Sequence, residues 1–478
     1  MSEDQTRIEQ DSMGPMHVPS WAMWGASTQR AVENFPVSGR GVPVEVVRAF
    51  GHLKAACAKV NQELGKLDPQ LARVIIEAAE EVAQGKHDAQ FPVDIYQTGS
   101  GTSTNMNANE VIANLANIKL GLGIGAKGKA GAVHPNDHVN MGQSSNDTFP
   151  TAMHVAAAVS IDQGLIPSLQ RLQQTLDRQL REWDDIVKIG RTHLMDATPI
   201  RVGQVFSGYA QQAANAVMHA TDARMALSSL AIGGTAVGTG INTHPEFGQR
   251  VAQELAARTG IPFSEAPNHP EAQATQDSLV DAHSRLKTIA VSLSKIANDI
   301  RWMGSGPRCG IFELLLPEIQ PGSSIMPGKV NPVICESVIQ VACRVIANDA
   351  AITLGGFGGV GSIFELNVAM PMMADAVMES IHLLTNVANV FVDKLLSGLQ
   401  VNRQRCQQLI EQSLMMVTSL APVIGYDQAA KLAKEAFSEG KTIRELAREK
   451  KLLDEDRLNA LLDPRSMTEP GGQGAAGG

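Results

Sequence analysis

Residues 273–303 read QATQDSLVDAHSRLKTIAVSLSKIANDIRWM. Two apolar series repeat every seven residues along this stretch: Leu279, Leu286, Leu293 and Ile300, and between them Ala282, Ile289, Ile296 and Met303. Such a repeat keeps apolar side chains on one stripe of a helix, so it predicts a long helix that packs against others. Four heptads extend over more than about 30 Å at about 1.5 Å per residue. We expect that one subunit alone does not supply enough partner helices.

Helical periodicity also covers much of the remaining chain, and strand signals are sparse. The predicted helices fall at about 44–67, 71–85, 151–183, 201–230, 333–353, 370–396, 403–417 and 426–439, and another opens within 99–107. Residues 1–40 are expected to be irregular, and Thr468–Gly478 to be disordered. The sequence therefore predicts a mainly α protein. Its 478 residues leave room for roughly three domains of about 150 residues.

Composition narrows the class of protein. The formal net charge of -9 argues against a general nucleic-acid surface, so an anionic substrate must be attracted by local positive groups. The five cysteines are odd in number and scattered, which fits reduced thiols in the cytoplasm: Cys57, Cys309, Cys335, Cys343 and Cys406. The acidic, polar N-terminus and the lack of any run of 18 apolar residues predict a protein that is neither exported nor membrane-spanning.

One polar loop stands out against the helical background. Residues 321–332 read PGSSIMPGKVNP and bring two hydroxyls, a cation and an amide together between glycines and prolines. Those glycines and prolines prevent a helix. An ordinary surface turn seldom needs this set of side chains, and loops between rigid helices often carry catalytic groups. We therefore interpret the segment as a shaped functional loop.

Three further stretches, 98–110, 134–148 and 190–199, are rich in Ser, Thr, Asn and His and lie beside predicted helix ends. Hydroxyls, amides, helix N-termini and one lysine together suit a small polycarboxylate. No metal site is predicted, because Pro135 separates His134 from His138 and no third ligand is suitably spaced. The G-x-G-x-x-G at 123–128 lacks a preceding strand, so it is interpreted as a connector and not a dinucleotide site.

The segment 322–332 is similar to the signature of the fumarase and aspartase lyase superfamily, and the resemblance extends from about Arg7 to about Arg448. Within it, TGSGT at 98–102, GRTH at 190–193 and SGPRCG at 305–310 resemble class II fumarate hydratase most closely. The resemblance implies a three-domain, mainly α fold with a central long-helix bundle, and we place its domains at 1–141, 142–399 and 400–478. It also implies a homotetramer with a twenty-helix core, active sites built from three subunits, and no cofactor.

The implied activity is the reversible hydration of fumarate to L-malate, a tricarboxylic acid cycle reaction, through an aci-carboxylate intermediate. By resemblance Ser323 is the base, deprotonated with help from loop N–H groups and Lys329. His193, paired with Glu336, handles the leaving hydroxyl through a bound water. The residues implied to bind substrate are Ser100, Thr102, Ser144, Ser145, Asn146, Thr192, Ser324, Lys329 and Asn331. A second anion site is implied at His134, Asn136 and Asp137, although Gly131 stands where some members carry a basic residue.

Two other functions stay open. Aspartate ammonia-lyase shares the signature loop, but that family usually has Gln where this chain has His193, and Ala-Gly-Ala-Gly-Thr where it has TGSGT. The lyase scaffold also has non-catalytic structural uses, which need neither a base nor an acid. The chain departs from the family at 360–363, which often reads Asn-Gly-His, and at Phe312, where glycine is common. We expect Phe312 to lie close enough to shape the pocket.

Overall fold

Helices account for most of the chain, which confirms the mainly α prediction. The computed structural model describes residues 6–470. Its helices are α1 Ala26–Asn34, α2 Val44–Glu63, α3 Pro69–Ala83, α4 Thr102–Lys119, α5 Ser145–Ser160, α6 Ile166–Glu182, α7 Val202–Ala226, α8 Phe247–Thr259, α9 His269–Ala274, α10 Asp277–Met303, α11 Val333–Gly356, α12 Met370–Lys394, α13 Arg403–Gln412, α14 Ala421–Ile424, α15 Tyr426–Glu439, α16 Ile443–Glu449 and α17 Glu455–Leu461.

The strands of the described residues occur only as pairs. They are β1 Thr6–Asp11, β2 Gly14–Pro19, β3 Val187–Thr192, β4 Met195–Arg201, β5 Ser229–Leu230, β6 Ser264–Glu265, β7 Leu314–Leu315, β8 Ser362–Ile363, β9 Leu366–Asn367 and β10 Gln400–Val401. β1 pairs with β2, β3 with β4, β7 with β10 and β8 with β9, all antiparallel, whereas β5 and β6 are parallel. No larger sheet forms within residues 6–470.

The chain divides into two compact units. Unit 1 comprises residues 1–167, 218–290 and 341–385, and unit 2 comprises 168–217, 291–340 and 386–478. The division falls within five helices, α6, α7, α10, α11 and α12. The three consecutive domains that the resemblance implies, at 1–141, 142–399 and 400–478, stay a prediction.

The heptad helix is confirmed as α10. Every residue of its two apolar series is buried, and the most exposed of them, Met303, is 8% exposed. The helix begins at Asp277 and not at 273, because Gln276 has a φ of 61° and separates α9 from α10. Val291 and Trp302, also on α10, are about half exposed at 54% and 47%. The helix therefore has exposed apolar side chains in the single chain.

The prediction that residues 1–40 are irregular was wrong for those described. Residues 6–19 form the β1–β2 hairpin, and α1 follows. The helix has no capping side chain of its own, but the carboxylate of Glu110, on α4, accepts hydrogen bonds from the backbone N–H groups of Gly25, Ser27 and Thr28 at 2.9–3.0 Å. A residue far away in sequence thus stabilises a helix that the local sequence does not predict. Residues 1–5 lie outside the described residues.

The prediction that disorder begins at Thr468 was also wrong for the first residues of that segment. Thr468 is buried, its hydroxyl accepts a hydrogen bond from Arg201 at 2.9 Å, and its carbonyl accepts one from Gln204 at 2.9 Å. These bonds attach the segment to the end of β4 and the start of α7. The rest of the predicted disordered tail, 471–478, lies outside the described residues.

Within residues 6–470 one helix, α11, is long and apolar enough to cross a membrane by length and composition alone, with a mean hydropathy of 1.3 over its best window. A third of that window, 33%, is buried inside the chain. A core helix of a helical bundle meets the same test, so this is weak support for a membrane span.

Candidate active site

The loop 321–332 has a closed base and an exposed tip. The N–H of Gly322 donates to the carbonyl of Lys329 at 2.8 Å, and the side-chain amide of Asn331 donates to the carbonyl of Gly322 at 2.7 Å. A Cβ on Gly322 would lie 2.4 Å from the Lys329 carbonyl oxygen, so only glycine fits there. At the tip, Ile325 is 84% exposed. The base therefore fixes the ends of the loop while its tip faces outward.

Ser323 has a polarised hydroxyl. Its Oγ accepts hydrogen bonds from the N–H groups of Ile325, at 3.2 Å, and Met326, at 3.1 Å. Two donors on one oxygen favour its deprotonated form over its neutral form. Ser324 and Lys329 are exposed, and within residues 6–470 the Lys329 ammonium makes no hydrogen bond or ion pair. The loop thus offers a pre-stabilised oxyanion position and a cation free for an anionic ligand.

The GRTH motif lies on the β3–β4 hairpin, which the sequence did not predict. His193 and Leu194 form its two-residue turn with φ values of 57° and 63°. Positive φ at both turn positions matches the twist of a tight hairpin. Thr192 and His193 are exposed, and both line a cavity of about 1250 Å³ within unit 2, together with Tyr209 and Trp302. The hairpin therefore presents the imidazole at its tip.

A buried carboxylate fastens that hairpin. Arg191 donates to Glu313 at 2.9 Å, and the ammonium of Lys188 lies 3.2 Å from the same oxygen. Glu313 is only 1% exposed, and burial lowers the pKa of Lys188. Because Glu313 closely follows the SGPRCG segment at 305–310, these contacts join two of the motifs on which the resemblance was based.

The departures from the family pattern have local explanations. Phe312 has a φ of 55°, which glycine adopts without strain and which accounts for the usual glycine there. Its side chain lines a separate cavity of about 290 Å³ with Pro307 and Arg405, not the cavity that contains His193. Within unit 2 Phe312 does not line the cavity that contains His193, and the expectation that it shapes the active-site pocket stays a prediction. The 360–363 segment contributes to the β8–β9 hairpin, beside an exposed Phe364.

In unit 1, a cluster of hydroxyls forms where α4 and α5 begin. Thr102 Oγ1 lies 2.7 Å from Ser100 Oγ and 2.7 Å from Ser145 Oγ. Asn146 follows, and its side-chain amide donates to the carbonyl of Ala236 at 2.8 Å. Two helix N-termini therefore meet at a set of hydroxyls, which is a favourable place for a carboxylate.

Ser144 and Asp147 form a capping box at the start of α5, which sequence analysis missed. The Ser144 hydroxyl accepts from the N–H of Asn146 at 3.2 Å, and Asp147 accepts from the N–H of Ser144 at 2.8 Å. Asp147 also accepts from the N–H groups of Gly233 and Thr235, and burial raises its pKa to about 6. The Ser-x-x-Asp spacing could have indicated this cap.

The residues of the implied second anion site lie in and before a π-helical turn, Pro135–Val139. The ring Nδ1 of His134 accepts from the N–H groups of Asn136, at 3.3 Å, and Asp137, at 3.1 Å. The backbone donors that would suit an anion are therefore occupied by the imidazole, and the second site stays a prediction. Among residues 6–470, no three His, Cys, Asp or Glu side chains converge as a metal site would require.

His193 and Glu336 do not pair inside a single chain. Glu336 is exposed in the first turn of α11, and the described residues include no hydrogen bond or ion pair between it and His193. The pairing that the resemblance implies stays a prediction for an assembled protein.

Comparison with known proteins is decisive for the family. A family model described as a lyase matches residues 14–347, and one for the C-terminus of fumarase C matches 416–469. The class II fumarate hydratase of Corynebacterium efficiens is 53% identical over 96% of this chain and 94% of its own length. The chain belongs to the class II fumarate hydratases. The fumarate hydratase of Mycobacterium tuberculosis is 54% identical over 95% of this chain and 93% of its own.

Solved structures agree with this fumarate hydratase assignment. The class II fumarase of Schistosoma mansoni has a TM-score of 0.93 at 38% identity and covers 97% of this chain and 99% of its own. A cobalt-bound fumarate lyase:delta crystallin from Brucella melitensis has a TM-score of 0.92 at 40% identity, over 97% of this chain and 100% of its own.

Proposed function

We propose that the protein is an enzyme that catalyses the reversible hydration of fumarate to L-malate. Family membership gives the reaction class. The single structural observation that carries the mechanism is the Ser323 hydroxyl, which accepts two backbone N–H groups of its own loop.

The difficult step is removal of a proton from the carbon beside a carboxylate. That C–H group is a very weak acid. In the malate direction Ser323, as the oxyanion, takes that proton and becomes a hydroxyl, and the electron pair moves onto the adjacent carboxylate. The resulting aci-carboxylate carries two negative charges, and groups placed to bind it lower the barrier. Lys329, which is exposed and unpaired among the described residues, supplies positive charge for both the serine oxyanion and this intermediate.

His193 manages the departing hydroxyl. The electron pair of the aci-carboxylate then forms the double bond as the hydroxyl leaves with a proton delivered through a bound water. An imidazole suits this task because its pKa lies near neutral pH in water, and a carboxylate partner such as Glu336 fixes its tautomer. The residues proposed to hold the substrate are Ser100, Thr102, Ser144, Ser145, Asn146, Thr192, Ser324, Lys329 and Asn331, and no cofactor is required.

A homotetramer completes the site in this proposal. Large apolar side chains next to site residues are exposed in the single chain, with Leu194 at 72%, Met195 at 69% and Ile325 at 84%. Large apolar side chains that are exposed beside proposed site residues are consistent with a subunit interface there. A twenty-helix core made by four copies would cover the outward face of α10. Three subunits would then contribute segments to each active site, as the resemblance implies.

The proposed compartment is the cytoplasm, where the protein would serve the tricarboxylic acid cycle. All five cysteines are unpaired, and Cys309 and Cys343 are exposed. Exposed thiols fit a reducing compartment better than an oxidising one.

A substrate comparison tests the function. Purified protein is given L-malate or L-aspartate, and formation of the fumarate double bond is followed by ultraviolet absorbance. We expect turnover of L-malate only. Turnover of L-aspartate alone would make the protein an ammonia-lyase, and turnover of neither would indicate non-catalytic use of the scaffold.

A further inference from the structure

A lysine with no role in the mechanism above is completely buried in unit 1. Lys54, on α2, has none of its surface exposed. Its ammonium lies 2.7 Å from Asn105 Oδ1, 3.0 Å from Asn140 Oδ1 and 2.9 Å from Gln143 Oε1. Among residues 6–470 no carboxylate forms an ion pair with it, and burying an unpaired charge is costly. Such a group requires an explanation other than packing.

The amides around Lys54 hold it in the charged form. Their nitrogens are committed elsewhere: Asn105 Nδ2 donates to Asn140 Oδ1, Asn140 Nδ2 to the carbonyl of Gln143, and Gln143 Nε2 to the carbonyls of Val139 and Met141. All three amide oxygens therefore face the lysine as acceptors. An ammonium has three N–H donors to match them, whereas a neutral amine has only two. Burial lowers the pKa of Lys54 to about 7, and the three acceptors oppose loss of the proton.

Each partner of Lys54 belongs to a segment that carries substrate-binding hydroxyls. Asn105 lies one turn after Thr102 on α4, and Gln143 immediately precedes Ser144. Asn105 Oδ1 also accepts a hydrogen bond from the hydroxyl of Thr148, on α5, at 3.1 Å. One cation thus connects the first turn of α4 with the approach to α5.

We propose that Lys54 is a positioning residue for the substrate carboxylate. It holds the start of α4 and the start of α5 together. The hydroxyls of Thr102 and Ser145, 2.7 Å apart, can then both hydrogen-bond to one substrate carboxylate. Asp147, also buried in the first turn of α5, interacts electrostatically with Lys54, so the role proposed for the lysine is geometric and rests on its three hydrogen bonds. The inference rests on the proposed function, but Lys54 itself does not touch the substrate.

The test separates binding from chemistry. Lys54→Met keeps an unbranched side chain that is one atom shorter, and it removes the charge and the three hydrogen bonds. Lys59→Met is the matched control: Lys59 is five residues further along α2, half-buried, and paired with Glu254 at 2.6 Å. The readouts are KM and kcat for L-malate, and the Kd of succinate, a dicarboxylate that does not react, by calorimetry. Gel filtration and thermal unfolding check the assembly.

We expect Lys54→Met to raise KM and the Kd of succinate by about tenfold or more, with kcat changed far less, and Lys59→Met to change neither. Gln143→Met, which removes one acceptor, should shift both constants in the same direction by a smaller factor, and it serves if Lys54→Met does not fold. Unchanged KM and Kd in the variants overturn the inference. A wild type that binds succinate but does not turn over malate refutes the proposed function and leaves this inference testable by binding.

Discussion

The backbone nitrogen of Met326 lies 3.1 Å from the hydroxyl oxygen of Ser323 and donates a hydrogen bond to it. The donor comes from the same loop, three residues further on, so it is in place before any substrate binds. Preorganised donors aimed at a developing charge do not need to reorganise during reaction. The proposed chemistry therefore depends on the shape of the loop as much as on the serine.

The shape of the loop should be sensitive to Gly322. In Gly322→Ala the new Cβ would lie 2.4 Å from the carbonyl oxygen of Lys329, so the base of the loop must open. We expect turnover of L-malate to fall by about 10²-fold, since small misplacements of catalytic groups have effects of that size. Thermal unfolding should change little, because much of the loop is exposed.

Gly358→Ala is the control for that substitution. Gly358 also lies in a loop, but an added Cβ there meets no atom within 4 Å. It should keep full activity. Equal activity of the two alanine variants would show that turnover does not need the hydrogen bond between Gly322 and Lys329 at the base of the loop.

A second serine lies in an arrangement that resembles a hydrolase triad but cannot act as one. Ser380 Oγ lies 2.8 Å from His283 Nε2, and His283 Nδ1 lies 3.1 Å from Asp349 Oδ1. Ser380 and His283 are fully buried, and the Ser380 hydroxyl donates to the carbonyl of Ala376. Burial lowers the pKa of His283, which disfavours the imidazolium that a triad forms.

Ser380→Ala should therefore keep turnover of L-malate and lose stability. Removing one partner of a buried hydrogen bond costs about 1–3 kcal/mol. Denaturant unfolding measures the loss, and a steady-state assay checks turnover. Activity that disappears while the protein remains folded would give this network a catalytic role.

The ion pair between Glu45 and His382, 3.0 Å apart in unit 1, predicts a pH-dependent stability. The hydrogen bond to Glu45 raises the pKa of His382 above its ordinary value of 6.5. Burial alone would raise the pKa of Glu45, but the bond to His382 brings it below the ordinary 4.5. The His382 contribution is complete below pH 6.5 and is lost as pH rises through the raised pKa. The Glu45 contribution is present above pH 4.5 and is lost as pH falls through the lowered pKa.

His382→Gln should therefore lower the thermal midpoint at about pH 6 and leave it unchanged at about pH 8.5. The effect should correspond to at most about 1 kcal/mol, because His382 is nearly half exposed and solvent screens the pair. His17→Gln, at an exposed histidine, is the control. A deficit that is equal at both pH values would contradict the assignment of the pair.

The parts of the fold that sequence analysis predicted are those set by local pattern. The α10 heptad follows from spacing alone, and the irregular course of residues 321–332 follows from Gly322, Pro327 and Gly328. The hydroxyls of Thr102 and Ser145 lie 2.7 Å apart, in two of the polar stretches that the sequence analysis grouped together, although the start of α5 at Ser145 was not predicted.

The parts that were missed depend on partners far apart in sequence. Arg191 and Glu313, which fasten the hairpin, are 122 positions apart, and Lys54 and Gln143 are 89 apart. Nothing in the apolar sequence around Lys54 predicts that three side-chain amides hydrogen-bond to its ammonium. The cap of α1 by Glu110 is hidden for the same reason.

The most direct measurement is the turnover of L-malate by Ser323→Ala beside the wild type, with gel filtration and thermal unfolding on both. The substitution removes the oxygen that takes the proton and leaves the loop backbone in place. Loss of a positioned general base predicts a fall of about 10²–10⁴-fold with an unchanged assembly and thermal midpoint. Turnover at the wild-type rate would contradict the assignment of Ser323 as the base.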